Sequence, residues 1–167
     1  MKKVLTILMA VLFFSILPMN TAKAEVLTKE QKAQYTAQVK QKKEIIKQKS
    51  TVIKKLELKI DDKGEELGKV LMLLFDRELP PSDEILAKIQ SKEEVMINGI
   101  EQLVKTQHSI KRLKKEASID VDEQNYQQAL NKLDKVIALQ DTEAEILKEY
   151  DMNLQQFIDL LKSLQLK

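Results

Sequence analysis

Side chains that could take part in chemistry are few and scattered along this chain of 167 residues. The only histidine, His108, stands in the run KTQHSIKR, and the chain has no cysteine or second histidine to share a metal ion with it. Its neighbour Ser109 would point to a different side of a helix, so the two do not make a nucleophile–base pair. The sequence therefore predicts no catalytic, metal or cofactor site, and we expect a non-enzymatic protein.

The densest group of carboxylates lies in the run DDKGEELG, where Asp61 pairs with Glu65 and Asp62 with Glu66 at helical i, i+4 spacing. Calcium binding is one interpretation, but the spacing is not that of an EF-hand loop. Glycoside hydrolysis at a cell wall is another, but the chain has no tryptophan and shows no evident cleft. We favour a solvated helix face whose acids are compensated by lysines.

Two further segments are candidate contact surfaces. A basic cluster suits an anionic cell-wall polymer or lipid headgroups, although helix-dipole compensation and solubility explain it equally well; its residues are Lys105, Lys111, Arg112, Lys114 and Lys115. An apolar run suits a partner or membrane contact at a bundle tip, with burial inside the bundle as the alternative; it comprises Val70, Leu71, Met72, Leu73, Leu74 and Phe75.

Residues 1–24 have the organisation of a Sec signal peptide. A basic start at Lys2 and Lys3 precedes fourteen mostly apolar residues, and Ala22-Lys23-Ala24 places small residues before Glu25. Cleavage before Glu25 is expected, because the apolar stretch is shorter than the roughly 20 residues that span a bilayer. An uncleaved anchor is the alternative. The sequence thus predicts a secreted or extracytoplasmic protein of the bacterial cell envelope.

The amino-acid composition argues for an all-α fold and against binding to nucleic acid. The predicted signal holds three lysines and no acid, so the mature chain has 25 basic and 26 acidic residues and no global charge for binding nucleic acid. The chain has no cysteine, and therefore no disulfide framework. It has only three glycines and three prolines, which indicates an all-α protein.

A period of seven organises the helices. The residues Val39, Ile46, Ile53, Ile60, Leu67 and Leu74 predict a long first helix with one seam against its partners. Helices are expected at about 28–78, 83–117 and 121–165 in a single domain, residues 25–167. The fold is an elongated antiparallel three-helix bundle resembling a coiled coil, or a four-helix bundle if the first helix breaks near Gly64. The third helix carries the widest apolar stripe and is the predicted centre of the core.

The second helix is expected to bury one broad apolar face. Its main seam is formed by Ile89, Met96, Leu103, Ile110 and Ala117. We expect the same face to be filled out by Leu86, Ile97, Ile100, Val104 and Leu113. Short connectors make the three helices run up, down and up, so the first and third should be parallel neighbours.

Opposed charges support that arrangement. Residues 29–59 hold ten lysines and three acids, whereas residues 118–151 hold nine acids and three lysines. In the parallel arrangement these two blocks lie side by side. We expect the lysines between Lys40 and Lys59 to be partly matched by the acids between Asp134 and Asp151. Examples are Lys47, Lys54 and Lys55 on the first helix and Asp134, Asp141 and Glu145 on the third.

Residues 27–31 read LTKEQ and resemble the LTxxQ motif of the small, all-helical Spy/CpxP-type periplasmic chaperones. Those proteins carry the motif twice, whereas this chain has one copy, and a helix cap explains it equally well. The expected function is a binding or structural module that contacts protein partners or a second copy of itself. The alternatives are an extracytoplasmic holdase chaperone and a membrane-active amphipathic protein.

Overall fold

A computed structural model describes residues 27–75 and 82–165 of the chain. It contains three helices, α1 (Lys29–Phe75), α2 (Asp83–Asp122) and α3 (Tyr126–Gln165). No strand occurs among the described residues. Contacts group the chain into two compact units, Met1–Lys32 and Ala33–Lys167. The predicted signal peptide and the Leu79-Pro80-Pro81 break lie outside the described residues.

The N-terminal unit contains the helix start predicted at Thr28. The Thr28 backbone N–H donates to Gln31 Oε1 at 2.9 Å, and the Gln31 N–H donates to Thr28 Oγ1 at 3.2 Å. This reciprocal pair is a capping box, which satisfies two backbone donors that have no partner within the helix. Two residues of the LTKEQ run therefore have a local structural role.

Helix α1 is continuous through Gly64 and Gly68, as the unbroken apolar period predicted. Helix interiors disfavour glycine by about 1 kcal/mol relative to alanine. The seam residues Ile60, Leu67 and Leu74 nevertheless stay on the core side and pack in one apolar cluster. Tertiary packing thus outweighs the local preference for a turn, and the bundle has three helices, not four.

The connector between α2 and α3 lies later than predicted. The sequence placed it near residues 118–122, but α2 continues to Asp122 and the connector is formed by residues 123–125. No glycine or proline ends the helix, so Gln124 adopts the left-handed conformation, with φ of 62°. Asp120 is buried and its Oδ2 lies 2.7 Å from Lys132 Nζ. Its carboxylate therefore forms an ion pair that joins α2 to α3.

Helix α3 supplies most of the buried apolar residues, which confirms its predicted central place. Its members of the core are Ala129, Leu130, Leu133, Val136, Leu147, Leu154, Phe157, Ile158 and Leu161. Helix α1 adds Val39, Ile46, Ile53 and Val70, and α2 adds Ile110 and Ala117. Most of the buried residues form two clusters. With the partly buried residues packed against it, each cluster includes residues from all three helices.

Polar contacts fix the directions of the helices. Lys42 pairs with Asp134, Lys49 pairs with Asp141, and Lys59 Nζ lies 2.7 Å from Asp151 Oδ2. Residue numbers rise together in this series, so α1 and α3 are parallel, as predicted. Gln107 Nε2 donates to Glu143 Oε1 at 2.9 Å, and Lys132 lies beside Asp120, so α2 and α3 are antiparallel.

Three ion pairs confirm the expected matching of lysines between Lys40 and Lys59 with acids between Asp134 and Asp151. The example lysines Lys47, Lys54 and Lys55 are exposed, however, and no ion pair joins them to an acid among the described residues. The paired lysines are instead Lys42, Lys49, Lys59 and Lys63. Three of these follow the heptad row beside the apolar seam, where the aliphatic stem lies along the core and the ammonium group reaches an acid.

A groove between the first and second helices

A polar layer interrupts the apolar seam of α3. Gln140 and Glu143 occupy seam positions and are only 2% and 6% exposed. The Gln140 Nε2 donates to Ile46 O at 3.2 Å and to Ser50 Oγ at 2.8 Å. The Gln140 Oε1 has no hydrogen-bond partner among the described residues. This layer lies between the two apolar clusters.

A groove between α1 and α2 opens above this layer. It contains a cavity of about 380 Å³ with polar and apolar walls, within the size range of small-molecule sites. The lining residues are Ser50, Ile53 and Glu57 from α1, Gln107, Ile110, Lys111 and Lys114 from α2, and Gln140 and Glu143 from α3. Helix α3 thus forms the floor, and the other two helices form the walls.

The acidic end of the groove is electrostatically strained. Burial, then the neighbouring charges of Glu143 and Asp61, raise the pKa of Glu57 above its usual value, while Lys54 partly offsets them. Glu143 accepts a hydrogen bond from Gln107 across the groove. A cationic group here, or the loss of one carboxylate, would relieve the repulsion between these acids.

The predicted polar candidates do not come together. His108 and the acids Asp61, Asp62 and Glu65 are exposed, and Glu66 pairs with Lys162 of α3. Among the described residues, no group of three histidine, cysteine or acidic side chains could hold a metal ion. Asp61 contributes only through its charge near Glu57.

The apolar run of α1 is divided between core and surface. Val70 is buried, and Leu71 and Leu74 pack against the second apolar cluster. Met72 and Leu73 are 72% and 60% exposed. The side chain of Phe75 lies outside what the structure describes. Among the described side chains of this run, Met72 and Leu73 therefore present a free apolar surface.

The basic cluster of α2 is divided in the same way. Lys105 lies 3.5 Å from Glu101 and Arg112 lies 3.8 Å from Glu116, both i, i+4 pairs along the helix surface. Lys115 is exposed. Lys111 and Lys114 instead line the groove. Two of the five predicted contact residues therefore belong to the candidate site, beside residues that the cluster did not include.

The sequence prediction was wrong for one side of α2. Leu86, Ile97, Ile100 and Val104 were expected in the buried face, but they are 41%, 56%, 46% and 51% exposed. Spacings of eleven, three and four residues put them on one side of the helix, beside the buried seam. We call these four residues the α2 stripe. The sequence did contain a sign of this exposure, because these four residues lie to one side of the buried seam and not within it.

The α2 stripe and the cavity share one wall. Gln107 follows Ile100 by seven residues and Lys111 follows Val104 by seven, so the stripe runs directly into the cavity wall. None of the described helices has an apolar stretch long enough to span a bilayer. No family model, curated protein or solved structure matches the chain, so its function is argued from its own geometry.

Proposed function

We propose that the chain is an exported, non-enzymatic helical module of the bacterial envelope or its surroundings, which binds a protein partner through the α2 stripe. The observation that supports this is a row of four large apolar side chains left about half exposed on one face of α2. A group of large apolar side chains exposed on one side of a helix is typical of protein contact sites. An amphipathic partner helix laid along the stripe would bury it as a fourth helix.

The apolar residues of the other two helices are less suited to this role. On α1, Val52 and Leu58 are exposed but lie on different sides of the helix, and Met72 and Leu73 form a patch of only two residues. Met152 stands apart from them on α3. Scattered apolar residues are normal on protein surfaces. The α2 stripe is therefore the best candidate for the contact.

The holdase and membrane-active alternatives find less support. A holdase surface would be a concave apolar face, whereas the groove floor is polar at Gln140 and Glu143. A membrane-active protein would expose the apolar run of α1 or the amphipathic end of α3, but Val70 is buried and the apolar face of α3 is buried through Leu154, Phe157, Ile158 and Leu161.

Site-specific photocrosslinking tests the proposal. A photoreactive residue at Ile100 should give one discrete protein adduct in the native envelope, and the same residue at Leu58 should give none. The double variant Ile97→Ser/Ile100→Ser should then lose binding to that purified partner, while Val52→Ser/Leu58→Ser keeps it. Equal crosslinking at Ile100 and Leu58 would exclude the stripe as a specific contact. Self-association would appear as a concentration-dependent mass in sedimentation.

A further inference from the structure

Two sets of lysines lie on different sides of α1. One set, Lys42, Lys49, Lys59 and Lys63, pairs with the acids of α3. The other set, Lys40, Lys43, Lys47 and Lys54, is exposed and makes no ion pair with any acid in the described part of the chain. Lys40 and Lys47 each precede a paired lysine by two residues, about 160° away around the helix.

The unpaired set lies on the side of α1 that faces the groove. Ser50 and Glu57 line the cavity. Lys47 precedes Ser50 by three residues, and Lys54 precedes Glu57 by three, so all four side chains share one stripe of the helix. Lys40 and Lys43 extend the same stripe by one heptad toward the N-terminus. The α1 wall of the cavity itself is formed by Ser50, Ile53 and Glu57, and a row of exposed lysines runs beside it.

The facing wall is basic as well. Lys111 and Lys114 of α2 line the cavity, are exposed, and make no ion pair in the described residues. Glu57 and Glu143 also line the cavity, with Asp61 close to Glu57. Since α1 and α2 are antiparallel, Lys40, Lys43 and Lys47 lie toward the same end of the groove as Lys114. The groove is thus basic at that end and acidic at the other.

We propose that this basic part of the groove binds a linear polyanion with regularly spaced phosphodiester groups, lying along the groove between α1 and α2. Lysines seven residues apart stand about 10 Å from each other along a helix, so successive lysines can follow the charges of an extended chain. Two lysines that line the cavity on α2 and four that run beside its α1 wall can contact such a chain from both sides. A flat membrane surface cannot reach the inner sides of both walls. This inference is independent of the protein contact through the α2 stripe.

The test is binding of a labelled linear poly(glycerol phosphate), measured by fluorescence anisotropy over a range of salt concentrations. The parent chain should bind saturably, with an affinity that falls steeply as salt rises. The variant Lys47→Gln/Lys54→Gln/Lys111→Gln should bind at least about tenfold more weakly and flatten the log–log salt slope by about 2, since each phosphate contact on a single strand contributes about 0.7.

The matched control is Lys55→Gln/Lys69→Gln/Lys105→Gln. It removes the same charge from the same two helices, but these three exposed lysines lie on the sides of their helices away from the groove. Its affinity should stay within about twofold of the parent, as expected for charges outside the contact. Circular dichroism verifies that both variants are folded. Equal losses in the two variants, or no saturable binding by the parent, would overturn the proposal.

Two further ligands separate the sources of phosphodiester charge. A single-stranded oligonucleotide carries the same group, so groove-dependent binding of either polymer supports the proposal, and the tighter ligand identifies the source. Vesicles of phosphatidylglycerol present the group on a flat surface and should bind weakly, with the same small loss in both variants. Vesicle binding as tight as polymer binding would overturn the proposal in favour of a membrane surface. Glu57→Gln, which removes an acid from the groove, should strengthen polymer binding.

Discussion

Gln140 is a polar residue at a position of α3 where the seam is otherwise mostly apolar, and its hydrogen bonds explain why it is tolerated there. Its amide is almost fully buried at a seam position of α3 and donates to Ile46 O and Ser50 Oγ. A buried amide at such a position fixes the register of neighbouring helices, at a cost in stability. The cost here comes from Oε1, which has no hydrogen-bond partner among the described residues.

Gln140→Met should therefore raise the free energy of unfolding by about 1 kcal/mol in urea denaturation. The substitution conserves volume and removes the unpaired Oε1, while Ser50 Oγ still donates to Ile46 O at 2.9 Å. The control is Gln128→Met, an exposed position on the same helix, where we expect a change within about 0.5 kcal/mol. A loss of stability in Gln140→Met would show that its two donated hydrogen bonds outweigh the unpaired oxygen.

Asp151 should make the free energy of unfolding depend on pH in the acidic range. Burial alone would raise the pKa of this carboxyl, but hydrogen bonds and charges from Lys59 and Lys63 outweigh it, so the pKa lies below its usual value near 3.8. The stabilisation is fully present above that usual value and is lost as the pH falls below it, because the unfolded chain takes up the proton first. Urea titrations at pH 7 down to pH 2.5 should show a smaller acid-induced loss in Asp151→Asn than in the parent. Asp62→Asn, at an exposed acid, should follow the parent curve.

At the scale of the element, α1 is a long helix whose packing holds two unfavourable glycines. A methyl group built on Gly64 or Gly68 would meet no atom within 4 Å. The neighbouring Lys63 Nζ lies 2.7 Å from Asp151 Oδ1 and donates to Asp151 O at 3.0 Å, so α3 anchors the helix beside the first glycine. The described structure therefore has room for a larger side chain at both positions.

Gly64→Ala and Gly68→Ala should each raise the free energy of unfolding by about 1 kcal/mol, because alanine loses less backbone entropy in a helix. Urea denaturation of both single variants and the double variant tests this. The two sites have no packing partner, so their effects should add. Gly99→Ala is an informative third variant, since its methyl group would lie 3.5 Å from the Tyr150 ring, an ordinary contact. A loss of stability at Gly64 or Gly68 would mean that α1 needs a bend there.

At the scale of the whole molecule, the described ion pairs with α3 form on one side of α1 only. Asp134 and Asp141, which pair with Lys42 and Lys49, are 57% and 59% exposed, so solvent screens both pairs. Such pairs contribute little energy each, but they favour one arrangement of the helices over its alternatives. The stability of the bundle comes from the two apolar clusters.

Reversing the charges tests this arrangement directly. Lys42→Glu/Lys49→Glu should lower the free energy of unfolding by a fraction of a kcal/mol per site at low salt, because acid then stands beside acid. Adding Asp134→Lys/Asp141→Lys should restore part of the loss, and the double-mutant cycle isolates the coupling between α1 and α3.

The control reverses two lysines of the groove side, Lys47→Glu/Lys54→Glu, with the same two changes on α3. These lysines do not pair with Asp134 or Asp141, so the effects should be additive. Equal coupling energies in both cycles would mean that the coupling comes from the overall charges of the two helices and not from the observed ion pairs.

The sequence by itself determined the helical class, the connector between α2 and α3 to within a few residues, and the central place of α3. These properties follow from the period of apolar residues, since a helix can hide only one stripe and the widest stripe must take the centre. The same period predicted that α1 crosses Gly64. The parallel arrangement of α1 and α3 followed from short connectors and opposed charges.

Only the tertiary structure decided which side chains face a neighbour and which remain free. Ile100 and Lys47 each lie one flank away from a buried seam, and their periodicity alone does not say whether another helix covers that flank. With three helices, α3 is covered on two sides, whereas α1 and α2 each keep an open flank along the groove. That geometry leaves the α2 stripe exposed and places the unpaired lysines opposite Lys111 and Lys114. Both candidate contacts therefore depend on the number of helices around the core.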